Sequence, residues 1–257
     1  MLATDMDSAT ASAAAAGGAE KRAYVKRIFS EIAPRYDLLN HVLSLNIDRV
    51  WRRAAIEELG LERNLAGTYL DLCAGTLDVA RAISRTVGFR GLVIGADFAE
   101  PMLVAGAQKV ARTKVAPIAA DAVDLPVAPQ SLSGAIVAFG IRNVAGLDEC
   151  LAETFRVLAP GARFVILEFS TPRIRLVKAF YLFYFRYILP LIGRLVSGHK
   201  TAYTYLPRSV ANFPVEEELA TRMKKAGFTG VRWRSLSFGI AAIHVGERAK
   251  SGQNGAR

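Results

Sequence analysis

Between residues 68 and 169, short unbroken apolar runs alternate with stretches of helical period, and this alternation constrains the chain more than any other feature. Residues 69–73, 91–97, 115–120, 134–139 and 163–169 read as strands, and 78–86, 101–112 and 147–158 read as helices. A strand that is apolar on both faces must be covered on both. The pattern therefore predicts an α/β fold with a mostly parallel sheet and helices on either side. Pro101 suits the first turn of its helix, and Pro160-Gly161 reads as a stop before the fifth strand. A further helix, 215–226, ends at Gly227. Residues 231–237 and 240–246 then close the sheet as an antiparallel edge.

The flanks differ from this body. Residues 1–20 are Ala-rich and of low complexity, and are expected to form a disordered tail, as are 248–257. The tail lacks a basic start followed by a Leu-rich run, so no secretory signal is expected. Residues 21–60 carry Ile28, Phe29 and Ile32, then Val50, Trp51, Ala55 and Leu59, at helical spacing. They read as a helical cap on one domain spanning 21–247. A helical insertion follows the fifth strand at about 172–212. Within it, residues 179–196 are dense in aromatics and interrupted by Arg186 and Arg194. That segment reads either as a cap packed on the core or as an apolar mouth at a bilayer interface. No apolar run is long enough to predict a spanning helix.

The two cysteines, Cys73 and Cys150, and the scattered His41, His199 and His244 offer no disulfide framework and no metal spacing. They fit a reducing cytoplasm. A net charge of +10 points to an anionic partner, either nucleic acid or a lipid surface.

Parallel sheets bind ligands at the carboxyl ends of their strands. There the first strand runs into Asp71-Leu72-Cys73-Ala74-Gly75-Thr76-Leu77-Asp78, and the second ends at Asp97. The spacing from the glycine turn suits a carboxylate that accepts from both ribose hydroxyls. The loop holds one glycine, Gly75, where a pyrophosphate needs a longer bare backbone, so a nucleoside without phosphates fits better. After the third strand, Asp121 is placed to accept from an adenine amino group and the Ala122 N–H to donate to a ring nitrogen. A turn-forming Asp is the simpler alternative for Asp121.

The motifs DLCAGTLD, GADFAEPML, ADAVDLP, VAFGIRNV and RVLAPGARFVILEFS resemble a class I S-adenosylmethionine-dependent methyltransferase of Rossmann-like fold. More narrowly, they are similar to the UbiE/MenG family of ubiquinone and menaquinone C-methyltransferases. Tyr36-Asp37-Leu38-Leu39-Asn40 with Ser44 and Trp51, the run from Arg156 to Ser170, and 202–209 with Phe213-Pro214 carry that narrower likeness over about 22–247. It implies S-adenosyl-L-methionine as cofactor, contacted by Asp71, Gly75, Thr76, Asp97, Asp121, Ala122 and Ala138. It implies methyl transfer to a ring carbon of a polyprenyl quinol, either the demethylmenaquinol or the benzoquinol step. Arg142, Asn143 and Tyr36 then face the acceptor as catalytic residues. Arg142 is placed to stabilise phenolate, or else to pair with Glu168 or Asp148. Leu77 stands where the family usually has glycine, Ala138 where it often has serine, and Asp48 where it usually has histidine.

The expected partners are the quinol and a membrane surface, with the protein cytoplasmic and peripheral at the inner face. A homodimer or an assembly for quinone synthesis stays open. Two other readings compete with this one. An RNA methyltransferase would use the basic charge, but FGIRNV occupies the place where amino-group methyltransferases of nucleic acids often hold NPPY or DPPY, and the cations are not gathered into one patch, so no nucleic acid is expected. A non-catalytic subunit of a quinone-synthesis assembly is the third.

Overall fold

The apolar runs pair side by side in a seven-stranded sheet of order β3-β2-β1-β4-β5-β7-β6. The strands are β1 (Thr68–Leu72), β2 (Leu92–Asp97), β3 (Val115–Ala119), β4 (Leu132–Ala138), β5 (Leu158–Phe169), β6 (Thr229–Leu236) and β7 (Ala241–Glu247). This is a computed structural model, and it describes residues 18–33, 36, 44, 46–184, 187 and 202–250. The strands β1 to β5 run parallel, as the continuous apolar runs require. The closing pair is antiparallel, but β7 inserts between β5 and β6, pairing antiparallel with both.

Eight helices of the described residues surround or cap the sheet: α1 (Gly18–Ile32), α2 (Ile47–Leu59), α3 (Asp78–Ser84), α4 (Glu100–Val110), α5 (Leu147–Val157), α6 (Arg175–Phe183), α7 (Ala202–Ala211) and α8 (Glu216–Lys225). One core layer lies on the side of α2 and α3 and includes Trp51, Leu59, Leu77, Ile83 and Val165. The other lies beneath α5 and α8 and includes Leu151, Phe164, Leu219 and Phe228. A smaller cluster joins Tyr24, Val25 and Ile28 of α1 to Tyr205 of α7, so the cap and the insertion share a core.

Two boundaries differ from the sequence expectation for physical reasons. Pro160-Gly161 does not separate a helix from a strand. It lies within β5, whose pairing shifts register against β4, and Gly161 takes φ 85° there, which a glycine bears without strain. Arg248, placed in the tail by its polar surroundings, is held by the domain. Its backbone N–H donates to the Ala162 carbonyl, and its guanidinium donates to the carbonyls of Phe155, Arg156 and Leu158 at the end of α5. A cation there satisfies carbonyls that the helix leaves open. Helix α1 likewise begins inside the expected tail, at Gly18. The 185–186, 188–196 part of the aromatic segment, and Asp37 to Asn40 of the signature beginning at Tyr36, lie outside the described residues.

Candidate active site

The loops after β1, β2, β3 and β4 meet at one end of the sheet around a cavity of about 400 Å³, roofed by α1. Of the residues expected to touch a cofactor, Gly75, Asp97, Asp121, Ala122 and Ala138 line it. So do Tyr36 and Asn143, from the acceptor set. Its walls are mostly apolar, through Val25 and Phe29 of α1, Phe98 and Met102 near α4, and Phe139.

The polar part is organised by backbone donors. Asp97 is buried, and its Oδ2 accepts from Gly75 N–H at 2.8 Å while Oδ1 accepts from Ala99 N–H at 2.8 Å. Burial raises its carboxyl above the usual range, and these two N–H groups pull it back toward the ionised form. The carboxylate is thereby fixed in orientation at the carboxyl end of β2, where it can receive hydroxyls of a sugar. Gly75 takes φ 52°, and a side chain there would meet Met102 at 3.3 Å and Tyr36 at 3.7 Å. Glycine keeps this cradle open.

Asp71 and Thr76 do not line the cavity. Asp71 lies wholly buried one layer below, and its Oδ2 accepts from Ala80 N–H at 2.8 Å. The carboxylate thus caps the first turn of α3, a task that the preceding residue, Leu77, has no side-chain oxygen to perform. Burial pushes the Asp71 carboxyl up to about 7, against the opposing Ala80 hydrogen bond.

Leu77 bears the left-handed backbone of this position itself, at φ 66° and ψ 22°. Its side chain is fully buried and turns away from the cavity, beneath β2. Space for it exists because residue 95 is glycine: a Cβ on Gly95 would lie 2.4 Å from Leu77 Cδ2. A leucine here therefore does not crowd the ligand space. Asp48 is likewise absorbed by local structure, accepting from Ser44 Oγ at 2.7 Å and pairing with Arg52 at 3.4 Å.

Arg142, expected to face the acceptor, turns away from the large cavity. The sequence after β4 folds into a tight turn, Ile141–Asn143, that sends neighbouring side chains to opposite sides. Arg142 Nη1 donates to Glu168 Oε1 and to the Phe139 carbonyl, both at 2.6 Å, and the Arg142 N–H reaches Glu168 Oε2 at 3.3 Å. The ion pair is buried, with side chains 8% and 3% exposed. Arg142 borders a second cavity of about 200 Å³, shared with Lys21, Tyr205 and Ser209. Asn143 faces the large cavity instead. It is buried, and no protein donor reaches its Oδ1 among the described residues. A buried carbonyl without a donor is costly to leave so. Phe139 anchors the turn from below at φ 62°, with its ring 4.6 Å from Phe169 and 6.0 Å from Trp51.

Sequence reasoning missed the part played by α1. Arg22 pairs with Asp121 across the mouth of the cavity. Lys21 Nζ donates to the carbonyls of Arg142 and Val144, each at 2.9 Å, clamping the cap to the turn after β4. The signal was present: Arg22, Val25 and Phe29 fall at i, i+3 and i+7, one stripe of a helix, and the cation on an apolar stripe is the anomaly. His244 sits on β7, hydrogen-bonded at 3.0 Å to the Glu216 carbonyl, and lines neither cavity. His199 lies outside the described residues.

The fold and this site define a class I S-adenosylmethionine-dependent methyltransferase. Cavity size, a fixed carboxylate at the end of β2 and a glycine cradle fit a nucleoside with an amino-acid tail. The sequence is matched over residues 18–248 by the model of the ubiE/COQ5 methyltransferase family, and the chain belongs to that family. A ubiquinone/menaquinone biosynthesis C-methyltransferase of Geobacter sulfurreducens is 43% identical over 237 residues, covering 89% of this chain and 90% of that one. A demethylmenaquinone methyltransferase of Thermus thermophilus is 46% identical over 224 residues, covering 86% and 100%. Among solved structures, the [4+2]-cyclase SpnF superposes with a TM-score of 0.65 at 14% identity, covering 88% of this chain and 96% of that one. An S-adenosylmethionine-dependent methyltransferase of Thermotoga maritima gives 0.52 at 18% identity, covering 83% and 99%. These two likenesses speak to fold alone.

Proposed function

We propose that this enzyme transfers a methyl group to a ring carbon of a polyprenyl quinol, at the demethylmenaquinol step, the corresponding benzoquinol step, or both. The observation that carries the reading is the large cavity, where a carboxylate fixed for a nucleoside and Asn143 line one mostly apolar space. The names of the relatives fit it. Bound S-adenosylmethionine supplies a methyl group already activated by a positively charged sulfur. The residues of the chain then have two tasks, to hold the acceptor carbon in line and to exclude bulk water, and the reaction releases the proton displaced from the ring carbon together with S-adenosylhomocysteine. Alignment of this kind supplies roughly 7–11 kcal/mol in well-oriented systems. Asn143 Oδ1 accepts from the ring hydroxyl and orients it. Tyr36, beside Gly75, closes the cavity over both ligands. Arg142 acts as a positioning residue: its pair with Glu168 sets the turn that aims Asn143.

In this reading residues 21–247 form one domain in which the 21–60 cap and the insertion at about 172–212 serve the acceptor. The protein works in the cytoplasm, peripheral at the inner face of the membrane. Helix α6 is the contact, with Leu176, Phe180 and Phe183 more than half exposed. Among the described residues no helix is long and apolar enough to cross a bilayer.

The test is methyl transfer by the purified protein from S-adenosylmethionine to short-chain, chemically reduced demethylmenaquinol and demethyl-benzoquinol in separate reactions. Mass spectrometry should find one added CH2 on the ring of at least one acceptor. A folded protein that binds the cofactor in calorimetry yet methylates neither would overturn the reading.

A further inference from the structure

The turn joining β6 to β7 carries Phe238, the most exposed aromatic side chain of the described residues at 74%. Its backbone is unusual. Ser237, Phe238 and Gly239 take φ 46°, 59° and 91° in succession, a left-handed run that disfavours any residue with a Cβ and a bulky aromatic above all. Hairpin turns that need this backbone ordinarily use glycine, asparagine or aspartate. The phenylalanine thus sits, strained, where it gains no burial.

The turn is nevertheless held firmly. The Trp51 indole N–H donates to Ser237 Oγ at 3.0 Å, and Ile240 N–H donates to the Leu236 carbonyl at 3.2 Å. A Cβ on Gly239 would lie 3.4 Å from the α-carbon of Pro172, so the turn abuts the segment that leads into α6. That segment and helix expose Ile174, Leu176 and Phe180 at 52%, 68% and 67%. From Phe169 to Val215 the sequence contains no aspartate or glutamate, against seven lysines and arginines. Arg173 of this stretch is paired with Glu216 and Glu217, which leaves Arg175 and Lys178 as the cations of α6 beside its apolar side chains. An apolar rim flanked by cations suits an anionic surface with an apolar interior.

We propose that the Ser237–Gly239 turn is a second point of membrane insertion, and that Phe238 and the exposed side of α6 dock together on a bilayer containing anionic phospholipid. The proposal rests on the peripheral reading of α6 and adds to it an element distant in sequence. Two separated contacts resist rocking of the protein about one helix. They would hold the end of the sheet that carries the cavities toward the lipid.

The experiment is co-sedimentation of the full chain with phosphatidylcholine vesicles, with and without phosphatidylglycerol. The native chain should bind the anionic vesicles and release them at high salt. Phe238→Ser should lower the apparent affinity roughly tenfold, the scale expected for withdrawing one aromatic side chain from a bilayer. Turnover of a short-chain quinol in solution should stay unchanged. Phe238→Trp should gain blue-shifted emission on anionic vesicles that the native chain lacks. Equal binding by the native chain and Phe238→Ser, with no spectral change for Phe238→Trp, would overturn the proposal while leaving α6 as the contact. A native chain that ignores anionic vesicles would overturn both membrane readings and leave methyl transfer to its own assay.

Discussion

The two sides of the active end are built by opposite means. On the cofactor side, around β1 to β3, each key carboxylate is satisfied by backbone N–H groups: Asp97 by Gly75 and Ala99, Asp71 by Ala80. On the side where the proposed acceptor would bind, around the Ile141–Asn143 turn, α1, α6 and α7, order comes from side chains reaching across elements. Arg142 pairs with Glu168, and Lys21 holds two carbonyls of the turn. Among the described residues, polar atoms stay without protein partners there, including Asn143 Oδ1 and the Tyr205 hydroxyl. Backbone donors cannot be mutated away, so the first side is suited to one ligand that does not vary. Side-chain contacts can be exchanged one by one, so the second side is free to change with its ligand.

Substitutions can break or sharpen this contrast. The largest effect is expected on the acceptor side. Arg142→Ala leaves Glu168 buried without its cation, and removing one partner of such a pair typically costs 3–5 kcal/mol, or about that here. Thermal unfolding should shift down markedly, and Glu168→Gln in the same chain should recover part of the loss. Recovery of stability without recovery of turnover would match the positioning role. Full recovery of both by the double variant would remove Arg142 from the acceptor machinery.

The next effect is a pH dependence on the cofactor side. The Asp71 carboxyl has a native value near 7, above its unfolded value of 3.8. Between those values the native state holds the proton more tightly than the unfolded chain, so this group's contribution to stability is lost as pH rises from about 4 to 7. Asp71→Asn keeps an oxygen for Ala80 N–H and abolishes the titration. Its stability relative to the native chain should rise across that window by up to about 4 kcal/mol. Parallel denaturant curves for both proteins would discard the idea.

Asp97→Ala comes third. It removes the sugar acceptor and leaves Gly75 and Ala99 N–H without a partner. We expect calorimetric affinity for S-adenosylmethionine to fall about 100-fold, near 2.7 kcal/mol. The smallest effect concerns the contact that joins the two sides. The Arg22 side chain is 58% exposed, so its pair with Asp121 is weak, under about 1 kcal/mol. If an adenine amino group uses Asp121, Arg22 competes with it, and Arg22→Ala should tighten cofactor binding by up to about fivefold. Weaker binding would instead make Arg22 part of the cofactor's own shell.

The same contrast separates what was legible in the sequence from what was not. The cofactor side is local: strand, turn and acid lie within short stretches, so Gly75, Asp97, Asp121 and Ala122 could be expected at the strand ends. The family resemblance supplied their cofactor role, and all four line one cavity. Its limits are also local. The resemblance implied that Asp71 touches the cofactor, whereas its carboxylate accepts from Ala80 N–H in the next helix. The acceptor side depends on which way a three-residue turn throws its side chains and on contacts more than 100 residues apart, such as Lys21 with Val144. No periodicity encodes either. The placement of β7 between β5 and β6 is illegible for a like reason, since the same hairpin could have offered either strand to β5.

Leu77 and Gly95 have a consequence for how this chain can change over generations. Each is acceptable because of the other: the leucine fills volume that the missing side chain leaves, in a backbone conformation that glycine would hold more easily. The order of replacements therefore matters. A lineage with glycine at 77 is free to try alanine at 95. Once leucine has entered at 77, alanine at 95 requires the buried leucine side chain to shift, so the same replacement costs more than it did before.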